Sequence, residues 1–351
     1  MFSNDKYNQK SGDNSTNIQA ERLEYTGLSY KDAKDIALDV FEDNFYRLSE
    51  TANETAKNRA VEIVETYLNE LKKEDIKALN QIQNPDVQYN LYNIQMAYAR
   101  SGDKDLGDLL VELLVDRTKT DSRNLKQISL NEAITVLPKI DKRQIDLLTI
   151  MFVINQITFK TITSKEMLSK LFSEYIDAFL PLEIPTENHF LHLQYANCII
   201  VGGASVSLYK VFSSKFRGFF QNGIELSEFS SKTKSLTNEQ KKELFVKCLN
   251  DDARYQINAL NKQELEEKFT KLGVSKQTSN ELNAFFESNN MDESTFYQTI
   301  KKKYTDFTRL DELWSSTLAT YSVLTPVGKT IAHANLKQNS NFNADLKIWL
   351  D

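Results

Sequence analysis

From Ser29 to Lys73 the chain runs without a glycine or a proline, and its apolar residues recur at spacings of three and four, among them Ile36, Val40, Phe41, Leu48, Ile63, Val64, Tyr67, Leu68 and Leu71. A 3.6-residue period places such positions on one face, so the segment predicts one very long amphipathic helix or two nearly collinear ones. Ser29 suits the N-cap, and Asp32 supports the first turn. Ala52, Ala56 and Ala60 recur every fourth residue. How closely two helices approach depends on the side chains between them, which makes this small-residue row the expected self-association surface.

Shorter periodic segments predict helices near 75–83, 86–100, 103–117, 122–137, 142–159, 164–180, 187–200 and 204–221. Pro85 suits a helix start, Ser101-Gly102 a stop, and Asp141 and Ser164 suit caps. Residues 227–237, SEFSSKTKSLT, are polar and rich in Ser and Thr and mark the expected boundary. More helices are predicted near 238–250, 262–272, 276–288, 292–304 and 310–319. The period then changes: Tyr321–Leu324 reads as a strand, Thr325-Pro326 opens a helix to about Leu336, and Phe342–Leu350 alternates as a second strand would. The fold class expected is all-α, a multi-helix bundle or irregular stack, with a short N-terminal strand and a small C-terminal two-stranded wing. The expected division is a leader at 1–28, a helical domain at 29–226 and a smaller helical domain at 238–351 that ends strand, helix, strand.

The leader differs in texture. Residues 1–17 are polar, with almost nothing to bury, and predict disorder in an isolated monomer. Ile18-Gln19-Ala20 and Leu23-Glu24-Tyr25 then alternate apolar with polar and read as one or two short strands. Amide side chains ladder when identical strands stack in register. Asn14, Asn17, Ile18 and Gln19 are therefore the expected assembly residues, beside the alanines at 52, 56 and 60.

Composition supports the helical reading. Ordinary usage would give a chain of this length about 25 glycines and about 18 prolines, and this one has 10 and 5. A net charge of −6 argues against broad capture of nucleic acid or anionic membrane. Two apolar stretches, Ile145–Phe159 and Cys198–Phe212, fall short of the ~20 residues a bilayer requires, and Asp146, Asn155 and Gly202-Gly203 interrupt them. They read as buried core. Cys198 and Cys248 form no CxxC and read as buried thiols of a reducing cytoplasm, and a start as polar as MFSNDKYNQK is unlike a signal peptide.

Candidate chemistry is sparse. Gly328-Lys329-Thr330 resembles the end of a phosphate loop, but the position five before Gly328, where the motif needs glycine, is Val323. His189 and His192 share a helix face and with a third ligand could hold a metal; hydrogen-bonded histidines are the plainer reading. Asp251-Asp252 and Glu266-Glu267 are neighbours that point to different faces and read as solvated surface. Lys301, Lys302 and Lys303, flanked by Tyr297 and Tyr304, are the candidate nucleic-acid residues, although cations at a helix C-terminus also favour the helix dipole.

The leader Gly-Asp-Asn-Ser-Thr-Asn-Ile-Gln, followed by Gly27-Leu28-Ser29-Tyr30-Lys31-Asp32-Ala33 and a long helix, resembles an uncharacterised family of bacterial helical proteins. The leader is also similar to strand motifs that head bacterial conflict and signalling proteins, where they mediate self-assembly. Leu324-Thr325-Pro326-Val327-Gly328-Lys329 resembles the closing strand-to-helix turn of abortive-infection proteins. These likenesses imply a phage-defence role and supply no catalytic residue. The function expected is a self-assembling helical scaffold, partnered by itself and by another protein, with no cofactor and no constitutive membrane insertion. An enzyme acting on nucleic acid through a dispersed site, and a membrane-active effector, are the alternatives.

Overall fold

The computed structural model describes residues 28–44, 49–158, 164–304 and 306–350. The leader residues Asn14, Asn17, Ile18 and Gln19, and the strands expected near them, lie outside the described residues. The fold is mainly all-α, with two small antiparallel sheets of two strands each among the described residues.

The first long periodic stretch is a hairpin. Helices α1 (Tyr30–Asn44) and α2 (Glu50–Glu74) are antiparallel, because Lys34 meets Glu65 at 2.5 Å and Glu42 meets Lys57 at 3.2 Å. The collinear alternative is therefore corrected. Phe41 folds back onto Ala56 and Ala60, and Ala99 closes the same small cluster. A 3₁₀ segment over Ile76–Gln83 leads to α3 (Pro85–Ser101) and α4 (Lys104–Thr118). Gly102 ends α3 at a left-handed φ of 61° with Arg59 against its α-carbon, a position where a Cβ would meet the guanidinium at 2.3 Å.

Next come α5 (Leu125–Val136), α6 (Lys142–Gln156), α7 (Lys165–Tyr175) and α8 (Glu187–Tyr195). The apolar stretch at 145–159 is largely α6, whose residues Ile145 and Leu147–Ile154 are buried. Helix α8 ends earlier than periodicity implied. Asn197 takes a positive φ of 57°, and the apolar residues after it form strand β1 (Ile199–Val201). Helix α9 (Leu208–Lys215) is likewise shorter than the expected 204–221. No helix among the described residues is long and apolar enough to cross a membrane.

The expected boundary at 227–237 holds helix α10 (Leu226–Lys232) instead of a linker. Helix α11 (Asn238–Leu244), strands β2 (Phe245–Lys247) and β3 (Tyr255–Ile257), and helices α12 (Lys262–Leu272) and α13 (Lys276–Ser288) follow. β2 pairs with β3, so the helix expected over 238–250 breaks into a hairpin. Together these elements carry a separate apolar cluster that includes Ile224, Leu244, Ile257, Leu265, Leu282 and Phe286. The chain then returns to the main core through α14 (Glu293–Lys303) and α15 (Phe307–Ser316), whose Phe296, Ile300, Phe307 and Leu310 pack with Phe172 and Phe212. Residues 238–351 are thus not one unit: a small insert, about 221–290, leaves and rejoins a single body.

Strand β4 (Ser322–Leu324) and helix α16 (Pro326–Asn339) close the fold. The expected wing is corrected, since β4 pairs with β1, in register Ile199↔Leu324, and not with the C-terminal tail. In the tail Phe342, Leu346 and Leu350 are buried and Asn343, Asp345 and Lys347 exposed, but Ile348, 67 % exposed, breaks the alternation. The tail's polar groups are met by side-chain contacts and a 3₁₀ turn at Leu346–Trp349: His333 Nε2 donates to Ala344 O at 2.7 Å, and Trp349 Nε1 to Gln156 O at 3.0 Å.

Gly328 explains the false phosphate loop. Helix α16 starts so close to β1 that a Cβ at position 328 would lie 2.0 Å from the carbonyl oxygen of Cys198. Gly328→Ala is expected to lower unfolding free energy by about 2–3 kcal/mol through that overlap. Urea denaturation of the two chains checks it, and an unchanged midpoint would show that the helix start can shift without cost.

Candidate functional site

A cleft of about 740 Å³ lies where the ends of α2, α4 and α16 meet the C-terminal tail. Helix α2 brings Glu74, α4 brings Glu112 and Asp116, and α16 brings His333 and Lys337 one turn apart. Lys119 follows the end of α4, and Lys126 opens α5. Lys337 Nζ meets Glu112 in a short ion pair and stands 3.5 Å from Glu74 and 3.9 Å from Asp116. Lys119 pairs with Glu74 and, at 2.9 Å, with Asp116; Lys126 holds Asp345 at 2.8 Å.

The electrostatics follow from burial and pairing. Burial pushes the Glu112 carboxyl above its ordinary range, and Lys337 only partly offsets this. Burial works against the charge on Lys337, but Asp116, Glu112 and Glu74 outweigh it and hold the amine above its usual value. His333 is buried among Phe152, Phe342 and Trp349, and desolvation lowers its pKa, so the imidazole is neutral. The hydrogen bond to Ala344 fixes the proton on Nε2. Each lysine of this cleft already faces a carboxylate. The arrangement is a clasp between the two ends of the chain, and its fourteen lining residues leave only short amide and hydroxyl groups, such as Asn341 and Asn343, without a charge partner.

Below the cleft, α3, α4 and α5 are tied by Arg117, only 2 % exposed. Its guanidinium pairs with Asp86, donates to Asn131 Oδ1 at 2.8 Å and to Thr120 O at 3.2 Å. Burial pushes Asp86 up, but Arg117 and Asn131 outweigh it and hold the carboxyl below the usual range.

The residues singled out by sequence fall apart in space. Ala56 and Ala60 are buried under Phe41 and Ala99 of the same chain, and Ala52 is exposed, so the row is an internal helix contact and not an outer face. His189 and His192 serve helix ends: His189 Nδ1 accepts from Thr186 N at 3.1 Å, and His192 Nδ1 lies 3.1 Å from Gln144 Nε2. Among the described residues no group of three or more His, Cys, Asp or Glu side chains could hold a metal. Burial pushes the Cys198 thiol up to about 12, and Cys248 is buried too. Lys301 is held by Asp311 at 2.8 Å beside the Tyr297 ring, while Lys302 and Lys303 border a second cavity. Lys215, which no spacing argument flagged, has its amine pulled down to about 8 by burial and donates to Ile154 O and Ile157 O at the end of α6.

A different feature has no internal partner. On the β1–β4 sheet the cross-strand pair Ile200 and Val323 points outward, 58 % and 55 % exposed, and no third strand joins the sheet among the described residues. Leu191 and Tyr195, one turn apart on the adjoining α8, and Tyr321 before β4 are exposed as well.

Residues 27–350 match the model of an uncharacterised protein family, and the chain belongs to that family. No curated protein and no solved structure matches it.

Removing one side of the clasp tests its asymmetry. Lys337→Ala is expected to cost about 2 kcal/mol, because Glu112 is left buried and unpaired, whereas Glu112→Gln costs less. The deficit of Lys337→Ala should shrink as pH falls: without its lysine the Glu112 pKa rises further, and protonation below it removes the stranded charge. Urea midpoints from pH 4 to 8 check this, and a pH-independent deficit would mean that lost packing dominates.

Proposed function

We propose that the chain is a self-assembling interaction protein whose docking face is the exposed sheet β1–β4 with the adjoining face of α8, and whose occupant is a second copy of the chain. The observation that carries the reading is the outward pair Ile200–Val323 on a sheet that has two strands among the described residues. Two three-residue strands are short for a free-standing ladder. A strand edge beside an apolar face invites another strand. Identical edges related by a two-fold axis meet antiparallel, which is the pairing these strands already use. The leader's alternating Asn17-Ile18-Gln19-Ala20 offers a further strand to the same assembly. A phage-defence setting, implied by the sequence resemblance, is part of the same proposal.

Light scattering on the full chain tests it. The wild type is expected to be a dimer or larger, and Ile200→Lys with Val323→Lys to reduce it to a monomer with unchanged helical content. A wild type that stays monomeric at ~100 μM, a concentration at which even weak association shows, would end the reading. Deleting residues 1–27 separates a leader contribution from that of the sheet, and phage plating on bacteria carrying wild type or the double variant tests the setting.

A further inference from the structure

The β1–β4 sheet has two outer edges, and its hydrogen bonds fix which backbone groups each edge presents. Gly202 N donates to Tyr321 O and Thr325 N to Cys198 O, each at 3.0 Å, at the two ends of the register that sets Ile200 opposite Val323. Hydrogen-bonded and non-hydrogen-bonded pairs alternate along an antiparallel ladder. Ile200 and Val323 therefore bond to each other, and the N–H and C=O groups of Ile199, Val201, Ser322 and Leu324 turn outward. Two of those outward donors are already taken. Val201 N donates to Oε1 of Gln194, in the last turn of α8, at 2.9 Å. Ser322 N donates to Ala319 O, which closes the 3₁₀ turn at Leu318–Tyr321 that leads into β4.

These are the donors that a further strand needs. A second copy added to β1 about a two-fold axis at Ile200 sets Val201 N–H against the carbonyl of Ile199 in that copy; the same addition to β4, about Val323, needs Ser322 N–H. The two caps differ in what removes them. Freeing Ser322 means unwinding a backbone turn, and that carries Tyr321 O away from Gly202 N. Freeing Val201 means rotating one exposed side chain, whose amide exchanges a protein hydrogen bond for one to water at small net cost. Polar side chains that blunt a strand edge are a common guard against unwanted pairing. The β1 edge is the one that can open.

We propose that Gln194 is the latch of the assembly edge: in the single chain it blocks β1 by holding Val201 N–H, and it swings out when β1 of a second copy pairs there. The latch presupposes the self-assembly reading; it adds which edge pairs, in what register, and what holds that edge shut. Its position suits the role, because Tyr195, the next residue, and Leu191, one turn before it, are exposed on the same face as Ile200 and Val323.

Sedimentation of the full chain over a range of concentrations, with amide hydrogen exchange read at Val201, tests it. Gln194→Ala is expected to tighten the dimer roughly tenfold, because two caps no longer have to be broken, and to make Val201 exchange slow only where the dimer forms. Gln194→Glu keeps an acceptor on Val201 N–H and is expected to leave the dimer no tighter than the wild type's. The latch falls, with the self-assembly reading intact, if the wild type dimerises and Gln194→Ala changes neither its affinity nor the exchange of Val201, or if Gln194→Glu tightens the dimer as Ala does. Both fall together if wild type and Gln194→Ala are monomeric at ~100 μM. A monomeric wild type beside a dimeric Gln194→Ala would support the latch and end assembly of the unaltered chain.

Discussion

The burial of α16 governs the fold. The last helix of the chain lies inside it, with Thr330 to Leu336 all buried against α4, α5 and α6. A helix buried on nearly every side must satisfy its polar groups internally. Thr330 donates to Pro326 O at 2.8 Å, Asn335 to Thr149 Oγ1 at 2.8 Å, and His333 to the tail. Until α16 arrives, the inner faces of α4 to α6 have no cover, so the body cannot be completed by the first 220 residues alone. The middle of the chain must leave and come back at one place, which creates the neck. The strand leading into α16 must lie beside β1, which creates the small sheet and requires a glycine at 328.

That constraint also sets what could be read from the sequence. Local signals were legible: the capping residues Asp141, Ser164 and Thr325, the stop at Gly102, and the apolar faces of α2 and α6 appear where spacing put them. Tertiary choices were not. Nothing local distinguishes Cys198–Val201 from the end of a helix, because its extended form depends on a partner strand more than 120 residues away, at 322–324. Spacing marks the alanine row as a place where a helix could approach closely, but it cannot say whether an approaching helix belongs to the same chain. Phe41 and Ala99 answer that here.

The charged residues show the same limit more sharply. Glu74, Glu112, Asp116, Lys119 and Lys337 come from opposite ends of the chain, and each alone has the ordinary look of a solvated helix position. Only the return of α16 gathers them. Conversely, Lys301–Lys303 is conspicuous in sequence as a cluster, and the fold divides it: one lysine is paired to Asp311, and two face the neck.

Of the two cavities, the larger is the poorer place for a ligand. An anion entering the cleft would have to displace Glu74, Glu112 or Asp116 from Lys119 or Lys337, and those carboxylates are held in place by their own helices at a high effective concentration. A cation would meet the same obstacle in reverse. At the neck Gln221 Oε1, Asn289 Nδ2 and Asn290 Oδ1 have no hydrogen-bond partner, a cost of the folded state of about 1–3 kcal/mol for each buried atom. The fold thus meets its charges where it gathers most of them, in the clasp, and leaves polar atoms unmet where the chain crosses itself.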